Sequence, residues 1–221
     1  MTDKIIYDKY GDEQTVIDQL DWTGNSHTTF STLGASNHSS QERASDDFYE
    51  TPAEGVTRLL DRPDLAPTTD AFIWECAAGR GAISNVLTER GYTVRSTELR
   101  DRGFGETGVD FLKSERPETN GKPLVILTNP PFARAIDFVQ HSLELLRDGE
   151  SCYFLLRLSF LEGQKRKTFF ETSNPEFVSV FGKRITCKRN GEEAFSKGGA
   201  VAFAWFKWIK GYTGKTVVEW I

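Results

Sequence analysis

The four residues Asn129, Pro130, Pro131 and Phe132 carry the most chemistry for their length. They follow the apolar run Leu124, Val125, Ile126, Leu127, which reads as a fully buried strand. They therefore stand at the carboxyl end of a strand, where open α/β sheets bind their ligands. Two consecutive prolines fix the backbone and remove two N–H donors, leaving carbonyls that only accept. An exocyclic amine such as that of adenine is a poor nucleophile, because its lone pair is delocalised into the ring. The side-chain oxygen of Asn129 and the carbonyl of Pro130 can take its two hydrogens and favour a pyramidal nitrogen. Phe132 is then placed to stack on a base drawn out of its helix.

A second constellation lies upstream. Glu75, Cys76, Ala77, Ala78, Gly79, Arg80 and Gly81 form a strand-to-helix turn, where glycines let a ligand approach the backbone at a helix N-terminus. Glu98 ends the next strand, about 20 residues on, the position at which a doubly wound sheet binds ribose hydroxyls. The histidines His27, His38 and His141 show neither metal nor triad spacing. Cys76, Cys152 and Cys187 lack a C-x-x-C pattern and read as core or strand residues.

The elements that must position these groups follow from periodicity. Thr51 as N-cap and Pro52 as first helical residue open a helix with Val56, Leu59 and Leu60 on one face. Phe72 to Cys76 reads as a strand, Ile83, Val86 and Leu87 as a helix, and Tyr92 to Glu98 as a strand, with Val109 and Phe111 marking another short one. Ile136 to Leu146 gives an amphipathic helix expected to run to Gly149. Cys152 to Leu156 is a strand, Phe169 and Phe170 lie on a helix, and Val178 with Val180 suggests a further strand. Val201 to Trp208 and Thr216 to Ile221 read as two final strands joined by a turn. Strands alternating with helices, then strands alone, predict a mostly parallel α/β sheet with an antiparallel C-terminal hairpin at its edge. Residues 1–47 read as a polar arm, rich in Thr, Ser, Asn and Gly from Thr23 onward, ahead of one domain at 48–221.

The 221 residues contain 38% hydrophobic and 27% charged residues, and no uncharged apolar run reaches the roughly 20 residues of a membrane span. The start, Met1, Thr2, Asp3, Lys4, lacks a signal peptide's pattern, so a cytoplasmic protein is expected. The net charge of −5 conceals a division. Residues 1–156 hold 15 Lys and Arg against 26 Asp and Glu, whereas residues 157–215 hold 12 against 5.

Taken in order, Phe48, Tyr49, Glu50, Thr51, Pro52, the Glu75 to Gly81 turn, Glu98, Asp110, Phe111 and Asn129 to Phe132 resemble the amino-methyltransferases that use S-adenosylmethionine. The chain is most similar to the small phage and prophage DNA adenine-N6 methyltransferases, through Leu33 to His38, Leu158 to Arg166 and Ala204 to Trp208 as well. The resemblance implies a Rossmann-like class I methyltransferase fold of seven strands, the seventh antiparallel between the fifth and sixth. It implies S-adenosylmethionine as cofactor and DNA as partner, with no metal and no membrane. Phe48, Thr51 and Pro52 would meet the methionine carboxylate; Glu75, Ala77, Gly79 and Gly81 would line the methionine end. Glu98 would hold the ribose, Asp110 and Phe111 the cofactor's adenine, and Asn129 to Phe132 the target amine. Asn at 129, where many DNA adenine enzymes have Asp, keeps open the methylation of guanine N2 in RNA or of a glutamine amide. A non-catalytic cofactor or nucleic-acid binder is the reading from another class.

With 89 residues after Phe132, no room is left for a target-recognition domain, so low or short sequence specificity is expected. Phosphate contacts would fall to Lys165, Arg166, Lys167, Lys183, Arg184, Lys188 and Arg189. DNA affinity should then fall steeply between low and moderate salt in a titration, and a salt-independent affinity would count against this surface.

Overall fold

The computed structural model describes residues 48–189 and 201–221, together with the backbone of two short strands nearer the N-terminus; at Lys165, Lys188 and Arg189 it describes backbone alone. The polar segment from Thr23 to Asp47, with His27, His38 and the resembling residues 33–38, lies outside the described residues, as does Lys197. The chain divides into two units, Met1–Gln41 and Glu42–Ile221. In the first, β1 (Ile5–Tyr7) pairs antiparallel with β2 (Glu13–Thr15), Ile5 opposite Thr15.

The second unit is built on an eight-stranded sheet. Its elements are β3 (Tyr49–Glu50), α1 (Ala53–Leu60), β4 (Phe72–Glu75), α2 (Ala82–Glu89), β5 (Thr93–Glu98), β6 (Glu106–Thr107) and β7 (Leu124–Thr128). Then follow α3 (Ala135–Leu145), β8 (Ser151–Arg157), α4 (Gln164–Thr172), β9 (Phe177–Val180), β10 (Lys188–Arg189), β11 (Phe203–Ile209) and β12 (Val217–Trp220). The strand order is β12-β9-β11-β8-β7-β4-β5-β6, with β3 and β10 forming a separate two-stranded ladder. β11 runs antiparallel to both its neighbours, and every other pairing in the large sheet is parallel.

Period-two alternation sorts the strand residues between two cores. Ile73, Val125, Leu127, Tyr153, Leu155, Phe177 and Trp205 join Val56 and Leu59 of α1 and Ile83, Val86 and Leu87 of α2. Trp74, Leu124, Ile126, Cys152, Phe154, Leu156, Val178, Phe206 and Trp208 join Phe138 and Val139 of α3 and Phe169 of α4. The sheet is thus covered on both faces, which is why β7 and all but the last residue of β8 are buried throughout. Trp205 is fully buried, and its Nε1 donates to the Gly55 carbonyl at 2.7 Å, fastening α1 to the sheet.

Several sequence expectations change in detail. The sheet has eight strands, and the two C-terminal strands do not pair as a hairpin. β8 and β9 occupy both edges of β11, so β12 lies beyond β9 and runs parallel to it. β11 does take the expected place between the strands that precede it, β8 and β9. Pro52, not Thr51, is the N-cap of α1, and no side chain caps that end. Asp110 caps a 3-10 turn at Phe111–Lys113 in place of a strand, its Oδ1 accepting from the Leu112 N–H at 3.2 Å. α3 stops at Leu145 because the Glu150 carboxylate takes the Arg147 N–H at 2.7 Å, removing a donor that another turn would use. On the sheet's outer edge Val217, Val218 and Trp220 are exposed, and Arg62 donates to the Trp220 carbonyl at 3.3 Å while pairing with Glu219 at 3.1 Å.

Trp205→Phe removes this buried hydrogen bond between the sheet and α1 and leaves a gap where the indole packs, which costs about 1–3 kcal/mol. Urea unfolding should show a lower midpoint with an unchanged slope.

Candidate active site

Chain order leaves β4 in the middle of the sheet, passes outward through β5 and β6, and then returns to β7 on the other side of β4. The crevice between the carboxyl ends of β4 and β7 is therefore the topological switch point. A cleft lies there, bounded by the Glu75 to Gly79 turn, Glu98, Asn129 and Pro131, with the segment Phe48 to Thr51 as its other wall.

The turn after β4 hangs on the end of β5. Ala78 donates its N–H to the Thr97 carbonyl at 3.0 Å, and Gly79 donates its N–H to Glu98 Oε2 at 2.8 Å. The other oxygen of Glu98 accepts from the Arg100 N–H at 3.2 Å. Gly79 and Gly81 both have positive φ, 56° and 85°. A Cβ at Gly79 would come within 2.5 Å of the Phe48 ring, and one at Gly81 equally close to Phe104. The close approach that these glycines permit thus belongs to two aromatic rings. Phe48 is in turn covered by Arg102, whose Cζ lies 4.2 Å from the ring centroid, with Arg80 at 6.0 Å.

Below the turn, Glu75 is 1% exposed, its carboxyl contacted by the Ser84 hydroxyl, which meets Ser96 Oγ at 2.6 Å. Burial pushes the Glu75 carboxyl up to about 8; the Ser84 hydroxyl and backbone oppose that shift and the nearby Glu98 adds to it. Glu75 is therefore protonated at neutral pH and puts no second negative charge beneath the cleft. Burial likewise raises the thiols of Cys76 and Cys152, and that of Cys187 to about 12, so none is a ready thiolate.

Asn129 has a defined orientation. Its Nδ2 donates to the Tyr49 carbonyl at 2.9 Å and to Thr51 Oγ1 at 3.0 Å, and because a backbone carbonyl only accepts, the nitrogen must face β3. The Asn129 Oδ1 is buried and has no hydrogen-bond partner.

Of the sequence-predicted residues, Phe48, Thr51, Glu75, Ala77, Gly79, Glu98, Asn129 and Pro131 meet at the cleft. Others do not line it. Pro52 caps α1 and Gly81 caps α2. Pro130 is buried at the end of β7. Asp110 holds its own turn and pairs with Lys113 at 3.2 Å. Phe111 is 2% exposed, its ring against Trp74, Phe138 and His141, so it belongs to the core. Phe132 packs on Tyr49 (5.1 Å between centroids) and Phe203 (5.8 Å), with the Arg157 guanidinium 4.5 Å from its centroid. Sequence reasoning singled out no side chain of Tyr49, Glu50, Arg80, Ile83 or Arg102 for the cleft, which they also line. Arg80 stands inside the glycine turn itself, where its charge was a usable signal; Arg102 follows Glu98 with no pattern to mark it.

Among the basic residues, Lys183 and Arg184 are exposed, as is Lys167, which lies 3.6 Å from Glu171. Arg166 is engaged internally, donating to the Ser159 carbonyl at 2.6 Å and lying over Phe160. Lys165 lies in α4, and Lys188 and Arg189 pair in β10 with Glu50 and Tyr49 of the cleft wall. Among the described residues, no group of three or more His, Cys, Asp or Glu is arranged for a metal ion, and no helix is long and apolar enough to cross a membrane.

Because Glu75 carries a raised pKa in the fold, its contribution to stability is complete below the unfolded value near 4.5 and is lost as pH rises through about 8. Glu75→Gln should remove that loss. The variant's thermal midpoint relative to the parent should climb between pH 5 and 9, by about 2 °C or more.

No family model matches the chain, and no curated protein matches it. Solved structures do. The methyltransferase subunit of a type I restriction-modification system from Streptococcus thermophilus aligns with a TM-score of 0.54 and 14% identity, covering 79% of this chain and 48% of that one. The chain thus spans about half the length of that subunit. A Listeria monocytogenes protein assigned as a class I S-adenosylmethionine-dependent methyltransferase gives 0.53 and 11%, covering 87% and 70%. A Pyrococcus horikoshii protein assigned as an RNA methyltransferase gives 0.53 and 14%, covering 73% and 86%. With its switch-point cleft and one antiparallel strand in an otherwise parallel sheet, the chain has the fold of the class I S-adenosylmethionine-dependent methyltransferases.

Proposed function

We propose that this chain transfers a methyl group from S-adenosylmethionine to the exocyclic N6 amine of adenine in DNA, with low or short sequence specificity. The observation that carries this reading is the Asn129 amide. Both its donor contacts are spent on Tyr49 and Thr51, and its buried oxygen is left as an acceptor at the cleft. An amine hydrogen is the natural partner for that oxygen. Holding it there orients the nitrogen lone pair toward the cleft and positions the nucleophile, which supplies much of the rate when no covalent intermediate is formed.

The cleft residues fit the cofactor. When bound, S-adenosylmethionine supplies an electrophilic methyl group on a positively charged sulfur. Glu98, buried at the end of β5, is the acceptor for ribose hydroxyls. Arg80 and Arg102 on the cleft wall suit the methionine carboxylate, together with the Thr51 hydroxyl. Glu75, held neutral by burial, sits under the turn as a support for Ser84 and the start of α2. The alignment with a restriction-modification methyltransferase subunit supports DNA as the substrate class. Exposed Lys167, Lys183 and Arg184, with Lys188 and Arg189 in the strand beside β3, are the proposed phosphate contacts.

Tritiated cofactor offered with DNA, RNA and protein tests this. Label should appear in DNA as N6-methyladenine, and Asn129→Ala should reduce transfer at least about 100-fold. Label in RNA or protein alone would overturn the DNA assignment, and cofactor binding without any transfer would make the chain a binder.

A further inference from the structure

We infer that Arg157 holds the ring of the target base, donating its Nε–H to the ring nitrogen that neighbours the amine; the inference rests on the methyl-transfer reading above. Arg157 closes β8, and Asn129 follows β7, its parallel neighbour, with Thr128 opposite Phe154. The two side chains share Tyr49. Its carbonyl takes an Asn129 hydrogen, and its ring lies 5.6 Å from Arg157 Cζ. The guanidinium also lies over Phe132, whose ring packs on Tyr49. Arg157 therefore stacks on the aromatic pair Tyr49 and Phe132, whose first member also holds Asn129.

Two buried groups here have unmet hydrogen-bonding capacity: the acceptor Asn129 Oδ1 and the donor Arg157 Nε. Buried polar groups are rarely left so, and an acceptor and a donor that both neighbour Tyr49 are complementary to one ligand edge. The matching edge is an exocyclic amine beside an unprotonated ring nitrogen. Adenine has it at N6 with N1 or N7, and cytosine at N4 with N3. On the Watson–Crick edge of guanine the amine adjoins N1–H, which would set a donor against a donor. Arginine suits this place because its plane stacks on rings while its edge keeps N–H groups to give.

The test uses oligonucleotides whose target adenine is replaced by 1-deazaadenine or 7-deazaadenine, with the parent and Arg157→Met. The Met side chain keeps apolar contact with Phe132 and removes the donor. One analogue should lower parental kcat/KM about 10- to 100-fold. Arg157→Met should lose as much on adenine and then fail to distinguish adenine from that analogue, since both changes delete the same bond. A purely structural role would make the losses additive. The parental response to the analogues decides the matter even if the variant is unstable: no loss with either one overturns the inference. Parental transfer to adenine alongside additive losses overturns the Arg157 role alone. No transfer to unmodified DNA overturns the methyl-transfer reading and this inference with it.

Discussion

Two hydrogen bonds from one amide organise the cleft. By donating to the Tyr49 carbonyl and the Thr51 hydroxyl, Asn129 ties the carboxyl end of β7 to a segment some 80 positions earlier in the chain. That segment supplies a whole wall of the cleft from Phe48 to Thr51, and its β3 ladder with β10 is only two residues long. Asn129 is therefore a strut, and its remaining oxygen is the acceptor that the proposed reaction would use. The strut alone accounts for asparagine over aspartate at this position. An ionised aspartate has no hydrogen to give, and it would set a carboxylate oxygen against the Tyr49 carbonyl.

Around this strut the charges are arranged economically. Glu75 and Glu98 both approach the glycine turn, yet burial keeps one of them neutral while the other accepts two backbone N–H groups. The turn is thus fixed by the side chain of Glu98, which takes the Gly79 and Arg100 N–H groups. Phe48 and Phe104 press on the turn from outside, so its glycines are required by packing within the protein as much as by any ligand.

The fold was legible where local pattern and environment agree. Leu124 to Leu127 could only be a buried strand, and alternating residues such as Ile73 and Trp74 separated cleanly into two cores. What escaped were features set by partners distant in sequence. Thr51 obeys the local rule for an N-cap, but its hydroxyl is claimed by Asn129. Phe111 has the character of a ligand platform, and nothing in the sequence says that Trp74 and Phe138 enclose it. The terminal strands read as a hairpin because adjacency in sequence is the usual guide to pairing; here β9 was already in place on β11. In the cleft, the glycine turn, Glu98 and Asn129 were visible from type and spacing. Tyr49 and Arg102 were not, since their part depends on where neighbouring loops fold.

Arg62 gives the sheet's outer edge a further meaning. β12 would otherwise offer an open row of backbone groups flanked by exposed Val217, Val218 and Trp220, a surface on which another extended chain could template itself. The guanidinium, paired with Asp64 and Glu219, occupies the Trp220 carbonyl, so an ion-paired charged side chain stands where an incoming strand would have to lie. One side chain, held from the loop that follows α1, thereby acts as gatekeeper for an exposed apolar edge strand.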